Sequence, residues 1–289
     1  MDKWVFLNGE FVPCEKAHIS IYDHGFLYGD GAFEGIRAYN GRAFKLKEHV
    51  ERLYNSLKAL WIELPYGAEQ FVANIEKLVE MNEVTDGYIR VTVSRGAALG
   101  LDPKNIVTEP TVAISTDKLS LYPWSMYENG LEVVTVATRV ANPQVMEPRI
   151  KSLGKYLCNI QAKLEANQVG AGEGLMLTEN GYVAECTGDN IFFAKNDVIY
   201  TPAAHLGILE GITRQIAMDL LAEMNVQVVE GIFTRFDLYS CDESFLTGTA
   251  AEVIPMVKLD ARTVGNGKPG PITKKLMDAF RSYVEKQSK

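Results

Sequence analysis

Lysine forms Schiff bases with carbonyl compounds, because desolvation or a nearby cation lowers its pKa and frees the amine. The segment Pro148-Arg149-Ile150-Lys151-Ser152-Leu153-Gly154-Lys155-Tyr156 puts a lysine just ahead of an expected helix. Spacing alone does not select Lys151 from the chain's other lysines, and most lysines are solvated surface groups. Two further stretches suit a phosphate. Gly211-Ile212-Thr213 opens a helix, so it aims free backbone N–H groups and the positive dipole end at one point. Gly248-Thr249-Ala250-Ala251 follows a strand with small residues that let an anion approach the main chain. Each also reads as an ordinary cap or turn. Neither is a Walker or dinucleotide fingerprint, so a nucleotide is not indicated.

Glu185-Cys186-Thr187-Gly188-Asp189-Asn190 concentrates polar groups just before the apolar Ile191-Phe192-Phe193. An acid entering a core element needs a cationic or hydrogen-bonding partner, since an isolated buried carboxylate is costly. The same stretch also reads as a turn with a solvated Glu. In Tyr88-Ile89-Arg90-Val91-Thr92-Val93 the period of two puts Tyr88 and Arg90 on one face and Ile89, Val91 and Val93 on the other. Tyr88 and Arg90 are therefore a candidate pair for a carboxylate, or an ordinary exposed strand face. His18, His24, His49 and His205 show no metal spacing and are given structural roles.

The elements that must position these groups follow from periodicity and turn chemistry. Asn8-Gly9, Asn40-Gly41 and Asn180-Gly181 each sit between strand-like runs and predict hairpins; the run after Asn40-Gly41 is Ala43 to Leu46. Val50, Leu53, Leu57 and Leu60 make one helical stripe, and a further helix is expected over Ala68 to Met81. Strands are expected at Tyr88 to Ser94, Thr111 to Ser115 and Leu131 to Thr138. Helices are expected from about Leu153 to Asn167, over Thr213 to Met224, and from Pro271, where proline suits a first turn. Residues 119–130 carry Pro123, Trp124, Asn129 and Gly130, break the pattern, and read as a linker between domains 1–118 and 131–289.

Bulk properties exclude several classes. A chain of 289 residues exceeds one usual domain, and 47% apolar with 23% charged content is a globular profile. A formal charge of -8 works against nucleic acid. No apolar stretch approaches the roughly 20 residues of a membrane span, and Met1-Asp2-Lys3-Trp4 lacks the layout of a signal peptide. Cys14, Cys158, Cys186 and Cys241 are scattered, which suits free thiols in a reducing cytoplasm and offers no metal spacing.

Taken in order, Tyr28-Gly29-Asp30-Gly31-Ala32-Phe33-Glu34-Gly35-Ile36-Arg37, Glu48 to Leu53, Tyr88-Ile89-Arg90, Lys151 to Tyr156, Glu185 to Asn190, Gly211 to Arg214 and Gly248 to Glu252 resemble the branched-chain-amino-acid aminotransferases. These are class IV, or fold-type IV, pyridoxal-phosphate enzymes, and the resemblance runs from about Trp4 to Tyr283. It implies a two-domain α/β (α+β) fold with pyridoxal 5'-phosphate between a smaller N-terminal and a larger C-terminal domain. It gives Lys151 the covalent link to the cofactor and the proton transfer. Arg52, the backbone at Ile212 and Thr213, and the Thr249 hydroxyl would hold the phosphate. Glu185 would face the pyridine nitrogen, and Tyr156 the phenolic oxygen.

The same resemblance implies transfer of the amino group of L-leucine, L-isoleucine or L-valine to 2-oxoglutarate in a ping-pong cycle. Phe33, Tyr28, Trp124 and Tyr127 would form apolar walls, and Arg90, with Tyr28 or Tyr127, would receive the distal carboxylate of glutamate. Ala250, Ala251 and Tyr88 would hold the α-carboxylate. D-amino-acid aminotransferases and aminodeoxychorismate lyases share the fold. The former usually carry an Arg-x-His signal, and here Ser94-Arg95-Gly96 is followed by Ala97-Ala98-Leu99 instead. A merely cofactor-binding protein would not require a proton-transfer lysine. Ala32, Cys186, Glu210 and Lys155 depart from residues common in the family. Family members are typically homodimers or larger, with a neighbour's loop closing each site; here that loop would be about Ala97 to Pro103.

Overall fold

The computed structural model describes residues 3–119 and 122–288. The chain divides into two compact units. One comprises Met1–Leu119, Ile150–Tyr156 and Val284–Lys289; the other comprises Ser120–Arg149 and Leu157–Tyr283.

In the first unit, β1 (Trp4–Leu7) and β2 (Glu10–Pro13) are joined through Asn8 and Gly9 at φ 50° and 97°. Positive φ at both central residues matches the twist of the flanking strands. The short α1 (His24–Tyr28) is capped by Asp23, whose carboxylate accepts from Gly25 N at 2.8 Å. β3 (Gly31–Tyr39) and β4 (Arg42–Ala43) turn through Asn40-Gly41. The run expected to reach Leu46 as strand stops early. Lys45 adopts a left-handed φ of 54° and redirects the chain, so Leu46 already begins α2 (Leu46–Ala59). α3 (Ala68–Met81) agrees with the periodicity, and β5 (Gly87–Ser94) and β6 (Thr111–Asp117) complete a six-stranded sheet of order β2-β1-β6-β5-β3-β4 among the described residues.

Val50, Leu53 and Leu57 of α2 and Phe71, Ile75 and Leu78 of α3 pack with Ala32, Ile36, Ile89, Val91 and Ile114 in one core. The apolar parity of β3 and β5 therefore faces the helices, and Phe33, Tyr88, Arg90 and Thr92 carry the opposite parity.

The second unit opens with α4 (Trp124–Asn129), inside the span expected as a linker. Met126 and Tyr127 pack on the core formed by Leu131, Leu175 and Ile254, so these residues are built into the unit. Ser120 and Leu121 of that span lie outside the described residues. There follow β7 (Leu131–Arg139), α5 (Tyr156–Gln168), β8 (Glu173–Leu177), β9 (Val183–Cys186), β10 (Asn190–Lys195) and β11 (Val198–Pro202). Then come α6 (Ile212–Glu223), β12 (Val228–Gly231), α7 (Arg235–Tyr239), β13 (Glu243–Gly248), β14 (Glu252–Leu259), β15 (Arg262–Thr263) and α8 (Pro271–Gln287). The sheet order is β12-β11-β10-β13-β14-β7-β8-β9, with β15 on β14. Parallel pairs (β11 with β12, β14 with β7, β7 with β8) mix with antiparallel ones. Among the described residues no helix is long and apolar enough to cross a membrane.

The sequence-based boundaries put Lys151 in the C-terminal domain, whereas Ile150–Tyr156 groups with the first unit. The reason is backbone pairing. Phe33 N donates to Lys151 O at 3.0 Å, Leu153 N to Gly31 O at 2.9 Å, and Gly154 N to Gly29 O at 2.9 Å. The helix expected from Leu153 starts only at Tyr156, because the intervening residues are spent on this edge of β3.

Candidate active site

In the first unit the Lys151 segment lies along the β3 edge that the short β4 leaves uncovered. Gly29, at φ 69°, lets it approach: a Cβ there would meet Gly154 Cα at 2.8 Å. Lys151 N donates to the buried Ser56 Oγ of α2 at 3.3 Å, and Lys151 Nζ donates to Tyr156 Oη at 2.8 Å. The amine stands 4.9 Å from the centre of the Phe33 ring, and Tyr156 meets Phe33 edge-on at 4.6 Å. Arg90 lies over the same ring at 3.7 Å, and its Nε donates to Thr92 Oγ1 at 3.3 Å. Among the described residues Arg90 meets no carboxylate. Gly35 leaves the space in which Tyr88 lies, since a Cβ there would sit 2.0 Å from the Tyr88 hydroxyl oxygen. Lys151, Tyr156, Phe33, Arg90 and Tyr88 are thus brought together. Tyr28 ends α1 and stacks edge-on against His24 at 5.0 Å.

Arg52 points to the helix side. Its Nε and Nη2 donate to the two oxygens of Glu34 at 2.7 and 2.8 Å, and His49 Nδ1 lies 2.8 Å from Glu34 Oε2. Glu34 is only 1% exposed. Burial pushes its pKa up, but the charges and hydrogen bonds of Arg52 and His49 outweigh that and hold it well below the usual carboxylate range. Burial in turn lowers the His49 pKa, against the opposing pull of Glu34. The bidentate pair fixes the plane of the Arg52 guanidinium. Sequence reasoning passed over Glu34 and Ser56. The available signal was an acid at the core parity of β3 opposite an i, i+3 pair of His49 and Arg52.

In the second unit three segments meet. Glu185 lies inside β9, 5% exposed, and its Oε2 accepts from Leu209 N at 2.8 Å. Asn190 Nδ2 donates to Leu209 O at 2.9 Å, and a Cβ on Gly211 would lie 2.2 Å from Asn190 Oδ1. Asp189 closes the other side, for a Cβ on Gly248 would lie 1.9 Å from its Oδ1. The Glu185–Asn190 segment therefore touches both the start of α6 and the tight turn at Thr249, Ala250 and Ala251 that joins β13 to β14. Gly211 caps α6 and has no side chain of its own to accept from the helix's first N–H groups. Thr213 is buried in that first turn. Trp124 and Tyr127 of α4 stack at 5.7 Å, with the Arg281 guanidinium 4.5 Å over Trp124.

Each unit by itself carries groups of a kind that suits a phosphorylated pyridine aldehyde: the first a lysine amine beside a phenol, the second a buried carboxylate held by a backbone N–H and a helix start beside a small-residue turn.

Comparison with known proteins agrees. Residues 31–259 match the family model described as amino-transferase class IV. A Methanocaldococcus jannaschii protein, provisionally named a branched-chain-amino-acid aminotransferase, is 44% identical over 98% of this chain and 96% of its own. The branched-chain-amino-acid aminotransferase of Escherichia coli K12 is 32% identical over 96% of this chain and 91% of its own. Among solved structures, the T.th. branched-chain amino acid aminotransferase with pyridoxamine 5'-phosphate superimposes with a TM-score of 0.94 at 37% identity, covering 99% of this chain and 95% of that one.

Proposed function

Since the chain belongs to the class IV aminotransferases, among the branched-chain-amino-acid enzymes, we propose that it moves the amino group of L-leucine, L-isoleucine or L-valine to 2-oxoglutarate with pyridoxal 5'-phosphate as cofactor. The carrying observation is the Lys151 amine held 2.8 Å from Tyr156 Oη, on the sheet face where Arg90 meets no carboxylate. When bound, the cofactor supplies an electrophilic carbon and an electron-withdrawing ring.

The protein's residues supply the rest. Lys151 would hold the cofactor through its amine and, as a free amine, move the proton at the substrate Cα. Arg52, oriented by Glu34, would bind the phosphate, as would the Ile212 and Thr213 backbone and the Thr249 hydroxyl. Glu185 would favour a protonated ring nitrogen, and Tyr156 would bind the phenolic oxygen. Ala250, Ala251 and Tyr88 receive the α-carboxylate. Phe33, Tyr28, Trp124 and Tyr127 wall the side-chain pocket, and Arg90 takes the distal carboxylate of glutamate.

A homodimer or larger assembly in the cytoplasm belongs to the same reading. Supporting it, Phe26, Leu99, Leu101 and Val107 are 69%, 73%, 78% and 84% exposed. They lie on segments joined by Ala98 N to Tyr22 O and Val107 N to Ala97 O bonds. All four cysteines are free thiols, as a reducing compartment requires. Sedimentation as a monomer would remove the oligomer from the reading.

The function is tested by a panel of L- and D-amino acids with 2-oxoglutarate and pyruvate as acceptors. L-branched-chain donors with 2-oxoglutarate should react fastest. Preference for D-amino acids, or pyruvate release without any acceptor, would replace the assignment. Borohydride reduction and peptide mapping should find pyridoxyl on Lys151; label on Lys155 would reassign the lysine.

A further inference from the structure

Asn190 opens β10 with 5% of its surface exposed, and its carboxamide spans two segments that serve different ends of a cofactor. Nδ2 donates to Leu209 O at 2.9 Å and reaches Glu185 Oε2 at 3.5 Å. The second contact is at the outer limit of a hydrogen bond, so the first anchors the group. Glu185 Oε2 takes the N–H of the same Leu209 at 2.8 Å. Glu185 and Asn190 therefore hold the two polar groups of one residue, and the carboxylate, the carboxamide and Leu209 close a small ring.

The other end of the carboxamide explains a glycine. Gly211 has φ -68° and ψ 134°, which any residue can adopt. Its lack of a side chain serves space: a Cβ would fall 2.2 Å from Asn190 Oδ1. The carboxamide thus lies against the N-cap of α6 while bonding to the residue two positions before it.

We propose that Asn190 is a positioning residue that locks the Glu185 carboxylate to the Leu209–Gly211 segment from which α6 starts. Acid and phosphate-binding helix start are thereby registered to one another, and the cofactor meets both at a fixed separation. The inference rests on the reading above, in which Glu185 and the Ile212–Thr213 backbone contact the cofactor. Without the carboxamide the Leu209 carbonyl loses its partner and the backbone that donates to Glu185 loses its anchor, and stranding a desolvated polar group in this way is worth roughly a factor of ten to a hundred.

The test uses the full chain and pyridoxal 5'-phosphate. Asn190→Ala, Gly211→Ala, Glu185→Gln and the Asn190→Ala/Glu185→Gln double variant are compared for cofactor dissociation constant, absorption spectrum of the bound cofactor and melting of the apoprotein. Asn190→Ala should weaken binding roughly tenfold to a hundredfold and move the spectrum toward that of Glu185→Gln. Gly211→Ala should do the same, because its methyl and Asn190 Oδ1 cannot share the space. In the Glu185→Gln background Asn190→Ala should add less than about threefold, since coupled residues are non-additive.

Full additivity, or unchanged binding and spectrum with only a lower melting temperature, would make Asn190 a scaffold residue and overturn the proposal. Failure of both single alanine variants to fold would overturn it too. Failure of the unaltered chain to bind the cofactor would instead sink the functional reading, so the two failures are distinguishable.

Discussion

Phe33 and Glu34 are neighbours on one strand, and the pleat sends them to opposite faces. On the Glu34 face a buried carboxylate is gripped by Arg52 in two places and by His49 in a third, which fixes the guanidinium in place. On the Phe33 face, Arg90 rests on an aromatic ring and a threonine hydroxyl, and Lys151 on the same ring and a phenol. A buried ion pair is valuable chiefly because half of it alone is so costly. Arg90, a cation among neutral groups, keeps its attraction for an anion that arrives from outside. One strand therefore carries a buried carboxylate that organises the cations around it and, on its other face, an arginine left open to a ligand, and the two should fail differently when cut.

The largest effect belongs to the ligand-facing side. Lys151→Ala should lower transamination by at least about a thousandfold, the range expected for loss of a positioned proton-transfer group. It should change unfolding free energy by less than about 1 kcal/mol, because the side chain is only part-buried. Glu34→Ala should do the reverse. Stranding Arg52 and His49 should cost about 3–5 kcal/mol in urea unfolding, with activity falling less than in Lys151→Ala. Similar stability losses in both variants would erase the distinction between the faces.

Acid should expose the Glu34 cluster next. The folded pKa of Glu34 is depressed, so its stabilisation is complete above the unfolded value of about 4.3 and drains as pH falls through the folded value. His49 is also depressed. Its stabilisation is complete above its unfolded pKa of about 6.5 and is likewise lost as the solution acidifies toward the folded value. Both signs agree: unfolding free energy should fall from about pH 6.5 downward, and the fall should be shallower in Glu34→Gln. Parallel stability curves for the two proteins between pH 3 and 6 would contradict this.

Much of the scaffold was legible because its causes are local. Asn8-Gly9 and Asn40-Gly41 specify their turns by themselves, and α3 begins and ends where its apolar period does. The pairing of Tyr88 with Arg90 on one face followed from the two-residue period alone. Lys151 was different. Its neighbourhood reads as the approach to a helix, yet its place is set by hydrogen bonds to Gly31 and Phe33, far away in sequence. No local pattern encodes that pairing. Glu34 escaped for a related reason: a lone acid in an apolar strand makes sense only once α2 brings Arg52 and His49 over it. Asn190 looked like one more polar residue in a turn until Leu209 and Gly211 stood beside it. Trp124 read as part of a linker because Pro123 and Gly130 bracket a helix too short to show a period.

The finest test of the comparison is Arg90→Ala. Only one substrate pair carries a second carboxylate, so the loss should fall on glutamate and 2-oxoglutarate and spare leucine. Removing a hydrogen bond to a charged group is worth about 1.5–3 kcal/mol, or roughly tenfold to a hundredfold in kcat/KM for the dicarboxylates. Leucine should change by less than about threefold, because it presents no anion beyond the one shared by every substrate. Stability should hardly move, as Arg90 is half-buried and its polar partner among the described residues, Thr92, is neutral. Equal losses for leucine and glutamate would mean that Arg90 serves the packing of Phe33 and not the recognition of charge.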